Sequence, residues 1–288
     1  MTTLPLPGLS GESPAAALAL YGIAQLLAER AAVQWQAHGD GWCGALVSDE
    51  IGTVDELAQA LSDAVAADPL DALQALAKDV NELRPDAWRR GVTGEDGASV
   101  RNVIAGLCAE TPLRAAGQVP MTPLCVYSFG TRGTLFGNAV KQDAALKPAD
   151  LRALLVGSWN ARKDVNTLGL DPGARRQDGA VIGPDPSADG VRGVPALVPL
   201  ALRGLAAVAP MPGISRVGGG AFLREAGRVS FSWPIFTTPV TSELLGLVAG
   251  RDWRSRDAAA RAAAGIEAVY AAAILRDERR LGYGRRVA

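Results

Sequence analysis

Histidine and cysteine are scarce in this sequence, and their scarcity excludes much of the chemistry that they usually carry. The 288 residues include one histidine, His38, and three cysteines, Cys43, Cys108 and Cys125, with no CxxC pair among them. A structural zinc site normally takes four Cys or His ligands, so the chain could barely assemble one. A Ser/His/Asp triad would have to use His38, which the sequence AHGDG places in an exposed hairpin turn, with catalysis as the alternative.

Long apolar runs are also missing. No stretch reaches the roughly 18 apolar residues that a membrane helix needs, and the N-terminus has no basic region followed by an apolar one. We therefore expect a cytoplasmic protein without membrane contact.

Nucleotide-binding signatures are absent as well. The glycine-rich stretch at residues 129–138, FGTRGTLFGN, matches neither GxxxxGK[ST] nor GxGxxG. It predicts a loop with Gly130, Gly133 and Gly137 around Arg132, which can offer backbone amides and one positive charge to a phosphate. A hairpin or β-bulge turn is the alternative. We expect no cofactor and no metal ion.

Charge is distributed unevenly along the chain. Residues 1–100 hold 15 acids and 5 bases, a balance of −10, whereas residues 101–288 hold 15 acids and 24 bases, a balance of +9. Such a chain can present a basic surface to nucleic acid and an acidic one to a protein neighbour, although a solvated surface without a partner is the alternative. We place the regional boundary between residues 1–120 and 121–288, which may share one core.

The expected fold class is mixed α+β, with a helix-rich acidic first region and a basic second region of short strands, long loops and a C-terminal helix. Ser13 and Pro14 predict the start of a buried helix, whose Gly22 indicates a close backbone contact. A hairpin is predicted at residues 33–48, and Thr53 with Glu56 forms a capping box. Further helices are predicted at residues 71–83, 99–110, 148–159 and 194–210, strands at 121–129 and 228–240, and the long C-terminal helix at 256–280.

The most informative stretch is residues 159–186, which has almost no apolar periodicity and is rich in hydrogen-bond donors. We interpret it as a polyanion contact surface, with an ordinary solvated loop as the alternative. Arginines near the C-terminus can add phosphate contacts without sequence preference. The candidate nucleic-acid-binding residues are Arg132, Arg162, Lys163, Asn166, Arg175, Arg176, Gln177, Arg254, Arg256, Arg285 and Arg286.

Two other interpretations of the sequence stay open. Asp164, Asp171 and Asp178 are spaced by seven residues and could serve a metal-dependent nuclease or hydrolase, but that period fixes no geometry in a loop. The chain could also be a purely structural scaffold whose acidic region docks a partner.

Four segments, taken in order, resemble a known family. They are Leu6-Pro7-Gly8 with the helix LALYGIAQLL, the segment Asp171–Arg175, PLALRGLAAVAP with Met211-Pro212, and Phe231-Ser-Trp-Pro234. This order is similar to that of the large subunits of type I CRISPR effector complexes (Cascade), above all the divergent I-G group, formerly I-U.

The resemblance implies a non-enzymatic subunit that contacts the 5′ handle of the CRISPR RNA (crRNA), helps recognise the PAM and helps open target DNA. Its expected partners are crRNA, target DNA, the backbone and small subunits of the complex, and a helicase-nuclease recruited after target binding. Base pairing with the guide would read the target sequence. Arg175 is the one candidate that lies in an alignable segment, and the chain is short for a large subunit.

Overall fold

The chain combines helices with small antiparallel sheets. A computed structural model describes residues 1–76, 83–107, 135–157, 165, 193–209, 211–212, 217–218, 220–225, 228–277 and 280–286. The described strands form a three-stranded sheet, a two-stranded ribbon and a four-stranded sheet. This architecture confirms the α+β class.

None of the described helices combines the length and the apolar character needed to cross a bilayer.

The first sheet is built from the N-terminal segment and a hairpin. The predicted hairpin is confirmed as β2 (Ala32–His38) and β3 (Gly41–Ser48). Strand β1 (Thr2–Ser10) pairs with the other side of β3 and was not predicted from the sequence, because Pro5 and Pro7 argue against a strand. The prolines are tolerated because β1 is an edge strand, where a missing N–H can face away from the ladder.

Helix α1 (Pro14–Leu27) is the centre of the fold and begins where the sequence predicted. The Ser13 hydroxyl accepts a hydrogen bond from the N–H of Ala16 at 3.2 Å, and most of the helix is buried. A Cβ placed on Gly22 would collide with the backbone carbonyl of Leu200, so the predicted close backbone approach is confirmed.

The helix α2 (Val54–Ala67) confirms the predicted capping box. The Thr53 hydroxyl accepts from the N–H of Glu56 at 3.2 Å, while the Glu56 carboxylate accepts from the N–H of Thr53 and of Gly52, both at 2.9 Å. These hydrogen bonds, with that of Gly52 foremost, hold the pKa of Glu56 below its ordinary value.

The connecting helices match the predictions in part. The helix predicted at residues 71–83 appears as a single turn, and residues 77–82 lie outside the described residues. The loop predicted at residues 129–138 is wrong in its last part, because Gly137 lies inside a helix. The elements are α3 (Leu73–Leu76), α4 (Pro85–Thr93), α5 (Ala98–Leu107), α6 (Leu135–Ala144) and α7 (Pro148–Val156).

The buried helix predicted at residues 194–210 is confirmed. It consists of α8 (Leu197–Arg203) followed by a 3₁₀ turn at Gly204–Val208, and nearly all of it is buried. Pro199 falls in the first turn, where a missing N–H costs no intrahelical hydrogen bond.

The four-stranded sheet, which we call the second sheet, begins at residue 222. It comprises β6 (Phe222–Glu225), β7 (Arg228–Phe236), β8 (Ile266–Asp277) and β9 (Arg280–Arg286), and β7 confirms the strand predicted there. The ribbon is β4 (Met211–Pro212) and β5 (Val217–Gly218), and the remaining helices are α9 (Ser242–Ala249) and α10 (Ala258–Ala263).

The predicted C-terminal helix at residues 256–280 is wrong, because strand β8 occupies most of this range. Of the described residues in this range only those of α10 are helical, and Gly265 follows the helix in a left-handed conformation with φ +69°. Ile266, Val269 and Tyr270 recur with helical spacing, but their β-branched and aromatic side chains also suit a strand. Pairing with the apolar strand β7 decides in favour of the strand.

A single hydrophobic cluster includes residues from both predicted regions, from Leu6 to Ala272. The boundary predicted at residue 120 lies outside the described residues and stays a prediction. The aromatic side chains of β7, Phe231, Trp233 and Phe236, are all buried in the core.

Candidate nucleic-acid interface

Most of the predicted contact residues lie outside the part of the chain that the structure describes. They are Arg132, Arg162, Lys163, Asn166, Arg175, Arg176 and Gln177, and Asp164, Asp171 and Asp178 of the metal-site alternative lie outside it too. Within the stretch 159–186 only Val165 is described, and its side chain is buried. The polyanion surface predicted for that stretch therefore stays a prediction.

Two of the other predicted arginines, Arg254 and Arg256, lie in one segment, residues 250–257, between α9 and α10. We call it the arginine loop, since its sequence GRDWRSRD has three arginines in six residues. Trp253 anchors it: its side chain is 6 % exposed, and its Nε1 donates to the carbonyl of Val248 at 2.6 Å. The buried indole fixes the loop against the protein.

Two aspartates shape the rest of the arginine loop. Oδ1 of Asp252 accepts from the N–H of Arg254 at 3.1 Å and of Ser255 at 3.2 Å, which makes a local turn. Asp257 caps α10 by accepting from the N–H of Ala260 at 2.7 Å. Because both carboxylates are used to fix the backbone, the loop has a defined shape on which its arginines are displayed.

The three arginines of the loop differ in their surroundings. The Arg251 guanidinium lies over the Trp253 ring, 5.3 Å from its centroid, while Arg254 is half-buried and its Nη1 lies 3.5 Å from the Ser230 hydroxyl on β7. Arg256 is exposed. Neither Arg251 nor Arg256 forms an ion pair with a carboxylate in the part of the chain that the structure describes.

The register of the second sheet brings β9 near the arginine loop. Ser230, which Arg254 contacts, pairs with Ala273 on β8, and the neighbouring Ala272 pairs with Arg286 on β9. Adjacent strands lie about 4.8 Å apart, so the backbone at Arg286 is roughly 10 Å from Ser230. Arg285 precedes it at an irregularity in the pairing of β8 with β9. The backbone of Arg285 and Arg286 thus lies near the segment that carries Arg254 and Arg256, beside the middle of β8.

Other arginines are engaged in ion pairs. At the surface, Arg30 pairs with Glu50 at 3.0 Å and Arg152 with Asp55 at 2.6 Å. Arg203 is 1 % exposed and pairs internally with Asp143. Arg203 was not singled out from the sequence, because an arginine at the end of an apolar helix is usually solvated.

The single histidine is exposed, whereas the cysteine of β3 is buried. His38 ends β2 at the hairpin, as the sequence predicted. Cys43 is free, and burial raises the pKa of its thiol. Among the residues that the structure describes, no three His, Cys, Asp or Glu side chains are grouped so as to hold a metal ion.

No protein-family model matches the chain, and no curated protein matches it with significant similarity.

Proposed function

We propose that this chain is a nucleic-acid-binding subunit, without enzymatic activity of its own, of a CRISPR RNA-guided surveillance complex in the cytoplasm. In that complex it contacts the crRNA handle and contributes to PAM recognition and target DNA opening. Its partners there are crRNA, target DNA, the backbone and small subunits, and a helicase-nuclease that is recruited after target binding. The resemblance of the four sequence segments supports this setting.

One observation carries the nucleic-acid part of the proposal: two segments that are distant in sequence bring arginine positions near one another beside the middle of β8. Arg254 and Arg256 come from the arginine loop, and Arg285 and Arg286 come from β9. Guanidinium groups match phosphate oxygens with paired hydrogen bonds and keep their charge at all relevant pH values. Convergence of this kind provides several point contacts along a sugar-phosphate backbone.

The surroundings favour contact with the backbone over base stacking. Among the described aromatic side chains near this part of the sheet, Phe231, Trp233 and Trp253 are buried and Tyr270 is partly buried. Buried rings cannot stack on bases, which is how many proteins bind single strands. We therefore expect binding with little sequence preference, since phosphate contacts carry no direct sequence information.

The proposal is tested by fluorescence anisotropy with labelled RNA and duplex DNA. A variant with Arg254, Arg256, Arg285 and Arg286 changed to alanine is expected to bind at least about tenfold more weakly at low salt, since each phosphate contact contributes to affinity. The matched control removes four exposed cations elsewhere, Arg84, Arg101, Lys141 and Lys147. Equal weakening by the two variants would show that only net charge matters and would refute the assigned surface.

The CRISPR setting needs a separate test. Target DNA binding by the reconstituted complex is measured with the parent chain, with the four-arginine variant and without the chain. We expect weak binding in the last two cases and full binding with the parent. A complex that binds its target equally well without this chain would contradict the proposed setting but leave nucleic-acid binding by the isolated chain unaffected.

A further inference from the structure

Helix α9 exposes apolar side chains on its outer face. In the part of the chain that the structure describes, the exposed large hydrophobic side chains are Met1, Val156 at 36 %, Leu244 at 52 % and Leu247 at 71 %. The two leucines lie one turn apart on α9, whose opposite face is buried through Leu245 and Ala249. Burying a leucine side chain contributes about 1.5–3 kcal/mol, so a partner that covers this face would be bound more tightly through these leucines.

Two residues of opposite charge lie at equal sequence distances on either side of Leu247, the more exposed of the two leucines. Glu243 lies four residues before Leu247 and Arg251 four residues after it, so each is about one helical turn away. The backbone at Gly250 is still helical, and the stacking of Arg251 over Trp253 holds its guanidinium at the end of the helix. Both side chains are exposed, and neither forms an ion pair within the described residues.

A glycine on the exposed side adds a further indication. A Cβ on Gly246 would meet no atom within 4 Å, so packing inside the chain does not require glycine there. Glycine in a helix interior costs about 1 kcal/mol relative to alanine. A partner whose backbone comes close to this side of α9 accounts for the residue, because glycine permits such an approach.

We propose that the outer face of α9 binds the same face of a second copy of this chain, with the two helices antiparallel about a two-fold axis at Leu247. In this arrangement the two Leu247 side chains meet. Glu243 of each copy then lies opposite Arg251 of the other along the helix axes, so that two Glu243–Arg251 ion pairs form between the copies. The pattern is complementary to itself, and this favours a second copy over a different protein.

The expected association is weak. One eight-residue helix and its flanks bury less than the roughly 800 Å² per partner of a standard stable interface. A dissociation constant on the order of 10 to 100 µM is therefore expected. The proposal does not depend on nucleic-acid binding, so either can fail without the other.

The test is sedimentation velocity of the full-length, nuclease-treated chain over about 1 to 300 µM, which brackets the expected dissociation constant. The parent is expected to shift from monomer to dimer. Glu243→Arg and Arg251→Glu are each expected to weaken association about tenfold or more, because each puts like charges opposite one another. An equimolar mixture of these two variants is expected to form dimers again, since every facing pair in the mixed dimer then has opposite charges.

Two further variants test whether the apolar contact at Leu247 drives the association. Leu247→Ser removes the central apolar contact and is expected to abolish dimerisation, whereas Val156→Ser on α7 removes an exposed apolar side chain elsewhere and is expected to leave it unchanged. Circular dichroism checks that each variant is folded. A parent that stays monomeric over the whole range, as it would if α9 binds a different subunit, overturns the proposal. So does a mixture of the two charge variants that fails to dimerise.

Discussion

The buried guanidinium of Arg203 allows a quantitative prediction about stability. Its Nη1 and Nη2 donate to the two carboxylate oxygens of Asp143 at 2.6 and 3.1 Å, and its Nε donates to the Ser99 hydroxyl at 2.8 Å. Nη1 also donates to the carbonyl of Pro199 at 3.3 Å and Nη2 to that of Asp68 at 3.0 Å. The side chain thereby ties together α2, α5, α6 and α8.

Removal of Arg203 leaves the Asp143 carboxylate buried with the N–H of Leu70, at 3.0 Å, as its remaining hydrogen-bond donor among the described residues. Breaking a buried ion pair from one side costs about 3–5 kcal/mol, because an uncompensated charge stays in the core. Domains have a free energy of unfolding of about 5–15 kcal/mol, so Arg203→Ala should lose a large part of it. Arg30→Ala is the control: its pair with Glu50 is exposed, and such pairs are worth about 0–1 kcal/mol.

The assay is urea unfolding followed by tryptophan fluorescence, with the free energy extrapolated to zero denaturant. Arg203→Met combined with Asp143→Leu should recover much of the loss, since two apolar side chains leave no buried charge. If Arg203→Ala costs less than about 1 kcal/mol, within the range of the exposed pair, the buried network does not stabilise the fold and the reasoning is refuted.

Two smaller changes test other packing and capping contacts. Gly22→Ala should cost about 1–3 kcal/mol or more in urea unfolding, because its Cβ would collide with the carbonyl of Leu200; Gly246→Ala on α9, where a Cβ meets nothing, should instead raise stability by about 0.5–1 kcal/mol. A Gly22→Ala variant as stable as the parent would contradict the close packing of α1 on α8. The depressed pKa of Glu56 means that its capping contribution is present above the unfolded-state pKa and is lost as the pH falls through the folded-state pKa. NMR titration should place the Glu56 pKa below that of the unfolded chain, and Glu56→Gln should remove this pH dependence; an ordinary pKa in the folded protein would disprove the capping contribution.

Local sequence signals predicted the features that depend on a few neighbouring residues. The cap at Ser13, the capping box at Thr53 and the hairpin turn at Gly39 are confirmed because their hydrogen bonds or backbone angles are set within about four residues. Gly22 was also interpreted correctly, since a glycine inside a strongly apolar helix lowers helix stability unless close packing requires it.

Features set by distant residues could not be predicted in this way. Strand β8 has alanines and apolar residues that suit both helix and strand, and only its pairing with β7 resolves the ambiguity. Arg203 and Asp143 are 60 positions apart, so no local pattern links them. The proximity of Arg254 to Arg286 depends on the register of β8 with both of its neighbours, and the helix predicted at residues 256–280 cannot show it.

The central claim is that the arginines of the arginine loop and of β9 bind a sugar-phosphate strand, and the salt dependence of binding tests it most directly. A plot of log K against log salt concentration has a negative slope for duplex DNA. The magnitude of this slope decreases by about 0.9 for each phosphate contact that is lost. Alanine at Arg254, Arg256, Arg285 and Arg286 is predicted to flatten this slope by about 2 to 4 relative to the parent, whereas the control variant at Arg84, Arg101, Lys141 and Lys147 should leave it almost unchanged. A parent slope near zero, or an equal slope in the parent and the four-arginine variant, would contradict the claim.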